Sequence, residues 1–222
     1  MISGHHGTSS MENLMKCNFV KIYSPMRTGS CWMHTLIADN FKEKALSNAL
    51  QWKHGFPLNP TSDDCNDLDL KRELANDLSS DKILFLMIIK NPYSWILSMC
   101  KRRRWNVNSI AHDFLQELTL KWNAFALEYI GQQRSTYQLL KYEQLLSDTE
   151  DILDFLSDFL TPIHSEYKVC KREVTSNLTQ KGIKDWSAEL DKGKTTIKEP
   201  ALKVINDILD KKAMCYLSYE FV

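Results

Sequence analysis

The chain lacks a long apolar run. Its longest, Ile83-Leu84-Phe85-Leu86-Met87-Ile88-Ile89, is far shorter than the ~20 residues a helix needs to span a bilayer. No N-terminal stretch has the charged-then-apolar pattern of a secretory signal, so a soluble, cytoplasmic protein with no membrane partner is expected. The six cysteines form no C-x-x-C and no Cys/His pair at zinc spacing. They read as free thiols of a reducing compartment, with no metal expected. The 28 basic and 28 acidic side chains cancel. No global field draws nucleic acid or an anionic surface, and any anion site has to be local. There is no internal repeat and no low-complexity segment. Residues Met1 to Ser10 read as an appended leader ahead of a second start at Met11, which leaves 11–222 for one domain.

What is present is an alternation of β-rich and helical segments. Phe19 to Tyr23 reads as a strand followed by a helix through Trp32, Met33, Leu36, Ile37 and Phe41. Ala49 to Trp52 reads as a second strand stopped by Gly55 and Pro57, and Leu68 to Leu78 as a helix. The Ile83–Ile89 run has no polar alternation, which fits a strand covered on both faces. Pro92 opens another helix, Ile110 to Ile130 has a long amphipathic pattern, and Thr136 to Leu140 is a further strand. Helices are expected at Leu145 to Leu160 and Pro200 to Lys211. This order predicts an α/β fold, a three-layer α/β/α arrangement around a mainly parallel sheet, with ligands at the C-terminal strand ends.

Three loops fall at such ends: Pro25–Trp32, Lys53–Pro57 and Lys90–Tyr93. In the first, a helix N-terminus with unpaired N–H groups, together with Arg27, Thr28 and Ser30, suits a phosphate or sulfate. The same composition also serves as an ordinary strand-to-helix turn. A Walker A nucleotide loop does not fit, because Gly29 is followed by Ser30-Cys31-Trp32 and not by Lys-Ser/Thr.

Taken together these segments resemble the sulfotransferases that use 3′-phosphoadenosine 5′-phosphosulfate (PAPS), a family with a P-loop-like architecture. Pro25-Met26-Arg27-Thr28-Gly29-Ser30-Cys31-Trp32 is similar to that family's P-[KR]-[ST]-G-[ST]-x-W loop, with one extra residue after the proline. Lys90-Asn91-Pro92 with Ser98 is similar to its R-N-P-x-x-x-x-x-S segment, with lysine for arginine. Lys141-Tyr142-Glu143-Gln144-Leu145 resembles its Y-E-D-L segment. Lys181-Gly182-Ile183-Lys184-Asp185-Trp186 resembles a shortened form of its late R-K-G-x-x-G-x-W loop, with Gln180 in place of arginine.

The resemblance implies PAPS as co-substrate and PAP, the 3′,5′-bisphosphate, as product. It places the 5′-phosphosulfate on Arg27, Thr28, Gly29, Ser30 and Cys31, the adenine on Trp32, and the 3′-phosphate on Lys90 and Ser98. Tyr142, Lys181 and Gly182 complete the implied donor site. Trp32 also fits a core position, and Ser98 a solvent-facing helix position. The family's K-T-H-x-P segment is echoed by Lys53-His54-Gly55-Phe56-Pro57, with the histidine one position early. That makes His54 the candidate general base, with an ordinary pKa of about 6.5 suited to work near neutrality, and Lys53 an aid at the transferring group. His34, His112 and His164 read as packed or solvated.

The basic run Lys101-Arg102-Arg103-Arg104 reads as a solvated helix face that can add positive potential near the 3′-phosphate. The expected reaction is sulfuryl transfer to a hydroxyl or amine of a small-molecule acceptor. A P-loop kinase or hydrolase, and a non-catalytic nucleotide-binding module, are the alternatives. Neither the acceptor nor the oligomeric state is encoded in a recognisable motif.

Overall fold

A computed structural model describes residues 16–46, 49–51, 53–54, 60, 63, 67–132, 134–169 and 197–222. At its centre are β1 (Phe19–Tyr23), β2 (Lys44–Leu46), β3 (Ile83–Ile89) and β4 (Tyr137–Lys141), in a four-stranded sheet of order β2-β1-β3-β4. Every pairing is parallel: Phe19 lies beside Lys44 and Ile83, and Phe85 beside Tyr137. Among the described residues the helices are α1 (Ser30–Asn40), α2 (Leu68–Ser79), α3 (Pro92–Arg102), α4 (His112–Gly131), α5 (Tyr142–Ser147), α6 (Thr149–Ser157), α7 (Ala201–Ile208) and α8 (Lys211–Tyr216).

The sheet separates two apolar cores, so the three-layer expectation holds. Phe19, Tyr23, Phe85, Met87 and Ile89 face a core that includes Trp95 of α3, Trp122 of α4, Ile205 of α7 and Met214 of α8. Val20, Ile22, Leu84, Leu86 and Ile88 face the other core, with Met33, Leu36 and Ile37 of α1, Leu145 of α5 and Leu153 of α6. Successive strand side chains point to opposite faces, and both faces are covered. That is why all seven residues of β3 are buried and why its sequence shows no alternation. Truncating one of them, as in Leu86→Ala, removes about 2–5 kcal/mol of stability.

The topology also locates the crevice. From β1 the chain passes through α1 to β2 at one edge, then returns past β1 to β3 and on to β4. β1 and β3 are therefore neighbours whose following helices lie on opposite faces. This is the switch point at which open parallel sheets bind ligands, beyond the carboxyl ends of the strands.

Three sequence expectations are corrected. The second strand is Lys44–Leu46 and not Ala49–Trp52. Leu50 and Gln51 have φ of 59° and 73°, left-handed values incompatible with a strand, and Trp52 lies outside the described residues. The helix expected over Leu145–Leu160 is two helices, because Asp148, at φ −128° and ψ 44°, breaks the helical path between Ser147 and Thr149. The last helix ends at Ile208, and α8 follows.

Candidate active site

The loop after β1 is fixed from several directions. Ser24, Pro25 and Thr28 are buried, while Arg27 is exposed. The Thr28 hydroxyl donates to the Pro25 carbonyl at 2.6 Å, and the Trp95 indole N–H of α3 donates to the Met26 carbonyl at 2.8 Å. Arg27 and Gly29 both have left-handed φ, 72° and 84°. At Gly29 the requirement for glycine is twofold, since a Cβ there would lie 2.6 Å from Cε2 of Tyr142 as well as meeting the backbone penalty. Tyr142 is thus the floor beneath the loop, almost wholly buried.

Gly29 is the N-cap of α1 and supplies no side-chain cap. The hydroxyl-bearing Ser30 is buried at the first turn, Cys31 is exposed, and Trp32 packs half-buried against the α1-side core.

The β3 loop is built differently. Lys90 is buried, its carbonyl accepts the Trp122 indole N–H at 2.8 Å, and its ammonium lies 4.8 Å from the Tyr142 ring centroid. Asn91 caps α3: its Oδ1 accepts the N–H groups of Tyr93 at 3.1 Å and Ser94 at 3.3 Å. The Asn91 N–H donates to Glu143 Oε1 at 3.0 Å, and the other Glu143 oxygen accepts the Tyr219 hydroxyl at 2.8 Å. Burial first and then the Glu143 carboxylate push the Tyr219 phenol far above its ordinary pKa, so Tyr219 stays a donor.

From this loop α3 runs back across the first one. Ser98 Oγ lies 3.5 Å from Arg27 Nε, at the outer limit of a hydrogen bond, and Arg102 Nη1 lies 2.8 Å from Met26 Sδ. The two loops singled out from sequence are therefore brought together, with Tyr142 touching both.

The third loop docks on β1. Ser24 N–H donates to the Lys53 carbonyl, and His54 Nδ1 lies 2.8 Å from the Ser24 carbonyl oxygen. A carbonyl only accepts, so Nδ1 carries the proton and Nε2 carries the lone pair. Burial lowers the His54 pKa below 6.5; the Ser24 carbonyl opposes this, and the Lys53 and Arg102 charges add to it. The imidazole is neutral at pH 7. Lys53 Nζ lies 3.6 Å from Cys31 Sγ, which brings the third loop to the start of α1. Among the described residues no carboxylate pairs with Arg27, Lys53 or Arg102.

His112 and His164 are exposed, as expected, and His34 lies within α1 with its pKa lowered to about 4 by burial and the charges of Lys53 and Lys21. Lys181 and Gly182, with Gln180 and Trp186, lie outside the described residues, as do Gly55, Phe56 and Pro57. Sequence reading did not single out the Ser24 carbonyl, Trp95, or the pair Glu143 and Tyr219 as parts of the site. A main-chain carbonyl leaves no mark in sequence, Tyr219 lies in no recognised motif, Trp95 falls at an unspecified position between Pro92 and Ser98, and Glu143 entered only as part of the Lys141-Tyr142-Glu143 segment.

No family model and no curated protein matches the chain. A solved structure, the sulfotransferase domain from the curacin biosynthetic pathway, is similar at 15% identity and a TM-score of 0.47, with 94% of this chain and 100% of that domain covered. The functional assignment rests on the site residues themselves.

Proposed function

We propose that this chain is a PAPS-dependent sulfotransferase acting on a hydroxyl or amine of a small-molecule acceptor. The observation that carries this reading is the meeting of three loops at the C-terminal edge of the sheet. Together they present the cations Arg27, Lys53 and Lys90, an α1 N-terminus without a side-chain cap, and a neutral histidine whose proton is held on Nδ1.

These residues fit the donor. The α1 N-terminus, the buried Ser30 and the Arg27 guanidinium would hold its 5′-phosphosulfate, and Lys90 and Ser98 its 3′-phosphate. Bound PAPS supplies a sulfuryl group on a bisphosphate leaving group. Arg27 neutralises charge as the bond to that leaving group breaks; a guanidinium does not give up its proton, so it acts as a hydrogen-bond and charge donor and not as an acid. The Nε2 lone pair of His54 takes the proton of the acceptor hydroxyl, and the Ser24 carbonyl stabilises the imidazolium that results. Lys53 adds positive charge where the sulfuryl oxygens pass. The chemistry needs positioning and charge more than covalent participation.

Isothermal titration with PAP and with ATP tests the donor assignment. PAP is expected to bind and ATP to bind at least tenfold more weakly, a difference of about 1.4 kcal/mol. A preference for ATP would sink the reading in favour of a kinase. Transfer of labelled sulfate from PAPS to pooled metabolites tests the reaction. His54→Ala should keep PAP affinity and lose transfer by roughly 100-fold or more; full activity in that variant removes His54 as base.

A further inference from the structure

We propose that Lys21, in the middle of β1, is a positioning residue for His54. The proposal rests on the reading of His54 as the base and names a group that sets its geometry from inside the fold. Lys21 is fully buried in a strand otherwise made of Phe19, Val20, Ile22 and Tyr23. A lysine in that place has to be satisfied by hydrogen bonds, since burying an ammonium without them is prohibitive. Its Nζ donates to the Ala49 carbonyl at 2.6 Å and to the Gln51 carbonyl at 2.7 Å, and lies 5.3 Å from the Tyr23 ring centroid. The carbonyl between them, Leu50, accepts the Tyr23 hydroxyl.

Two side chains of β1 thus hold three consecutive carbonyls of the segment that leads to His54. That segment needs holding, because Leu50 and Gln51 are both left-handed without being glycine. Two residues beyond Gln51, the Lys53 carbonyl takes the Ser24 N–H, and His54 then reaches the Ser24 carbonyl through Nδ1. Ser24 directly follows β1, so one strand carries both the clamp and the carbonyl that selects the histidine tautomer. Without the ammonium, the Ala49 and Gln51 carbonyls lose their shared donor and the left-handed turn has less to maintain it. His54 then leaves Ser24, and Nε2 no longer keeps the lone pair as its dominant form.

The test is the His54 tautomer, read from its imidazole ¹⁵N shifts in long-range ¹H–¹⁵N spectra and assigned by loss of the signal in His54→Gln. The wild-type protein is expected to show the Nδ1–H form. In Lys21→Met, similar in length but without donors, the signal is expected to move to a tautomer mixture dominated by Nε2–H, while PAP affinity by calorimetry changes less than about threefold. If the Met variant does not fold, Lys21→Leu, also without donors, is read in the same way in the presence of saturating PAP. A wild-type Nε2–H form, or a folded Lys21 variant that keeps the Nδ1–H form, overturns the proposal. Failure of the wild-type protein to bind PAP overturns the donor assignment instead, and leaves the tautomer result to be judged separately.

Discussion

The N-termini of α1 and α3 both follow a central strand and both face the crevice, yet Gly29 leaves α1 without a side-chain cap whereas Asn91 closes α3 through the Tyr93 and Ser94 N–H groups. An uncapped first turn keeps its dipole and N–H groups for an external anion; a capped one has spent part of that capacity internally. In the proposed donor site, α1 would therefore hold its anion largely through the backbone, with Arg27 beside it. The proposed α3 site would rely on side chains, Lys90 from the strand end and Ser98 from nearly two turns into the helix. Lys90 is anchored through its carbonyl by Trp122, and the Asn91 N–H is tied to Glu143. The first site is shaped by backbone conformation and the second by a hydrogen-bonded scaffold.

The largest expected effect breaks the first site. Gly29→Ala adds a Cβ against the Tyr142 ring and places it at φ 84°. The loss of stability should be about 2–5 kcal/mol, the left-handed penalty together with overpacking, measured by denaturant unfolding. A change within error would mean that the loop does not hold this conformation. Next comes Arg27. Arg27→Ala should weaken PAP binding by about 10- to 100-fold, the range for a lost charged hydrogen bond, with the fold intact. Because Arg27 also has left-handed φ, Arg27→Gly should lose the same affinity while gaining up to about 1 kcal/mol of stability. Opposite signs for binding and stability would identify a residue kept for its guanidinium at a backbone cost.

At the second site the expected effects are smaller. Asn91→Ala removes the α3 cap and should cost about 1 kcal/mol in stability. Its effect on PAP affinity should stay within about threefold, because Lys90 and Ser98 remain. If PAP binding instead collapsed as it does for Arg27→Ala, the two termini would not differ in the way proposed.

How much of this was legible in sequence follows the same division. The central buried strand was, because Ile83–Ile89 is apolar without alternation, too short for a typical helix and rich in β-branched residues, as a strand covered on both faces is. The loops at Pro25–Trp32 and Lys90–Ser98 were legible as local residue patterns. The path of α3 across the first loop was not, since it depends on Trp95 finding the Met26 carbonyl 69 residues away in sequence. The region around Ala49 misled for a physical reason. Its apolar Ala49-Leu50 and neighbouring Trp52 look like a strand in sequence, but the Ala49 and Gln51 carbonyls accept from the buried Lys21 and the Leu50 carbonyl from Tyr23, so none of the three is left for a strand ladder. Lys21 is the one charged residue in an otherwise apolar strand, and nothing local distinguishes a lysine that points to solvent from one that holds a turn.

The last expected effect is confined to acid pH and is absent at neutrality; it concerns a histidine on the back of the first site. His34 lies one turn into α1, and its pKa is lowered from 6.5 to about 4, first by burial and then by Lys53 and Lys21. The unfolded chain therefore binds a proton in a range where the folded one does not. By linkage, stability rises with pH wherever the unfolded state holds more protons, so this contribution is intact above 6.5 and declines as pH falls toward 4. His54 is shifted in the same direction and adds to the slope just below 6.5. The α3 site contributes no histidine to this limb. Denaturant midpoints taken in steps across that window should fall with acidity in the wild-type protein, and His34→Gln should flatten the decline without altering PAP affinity at neutral pH. A decline of unchanged steepness in His34→Gln would assign the acid sensitivity to other groups. A simultaneous loss of PAP binding would show that α1 transmits the state of its second turn to its N-terminus, which makes the first site less purely a matter of loop conformation than its glycine suggests.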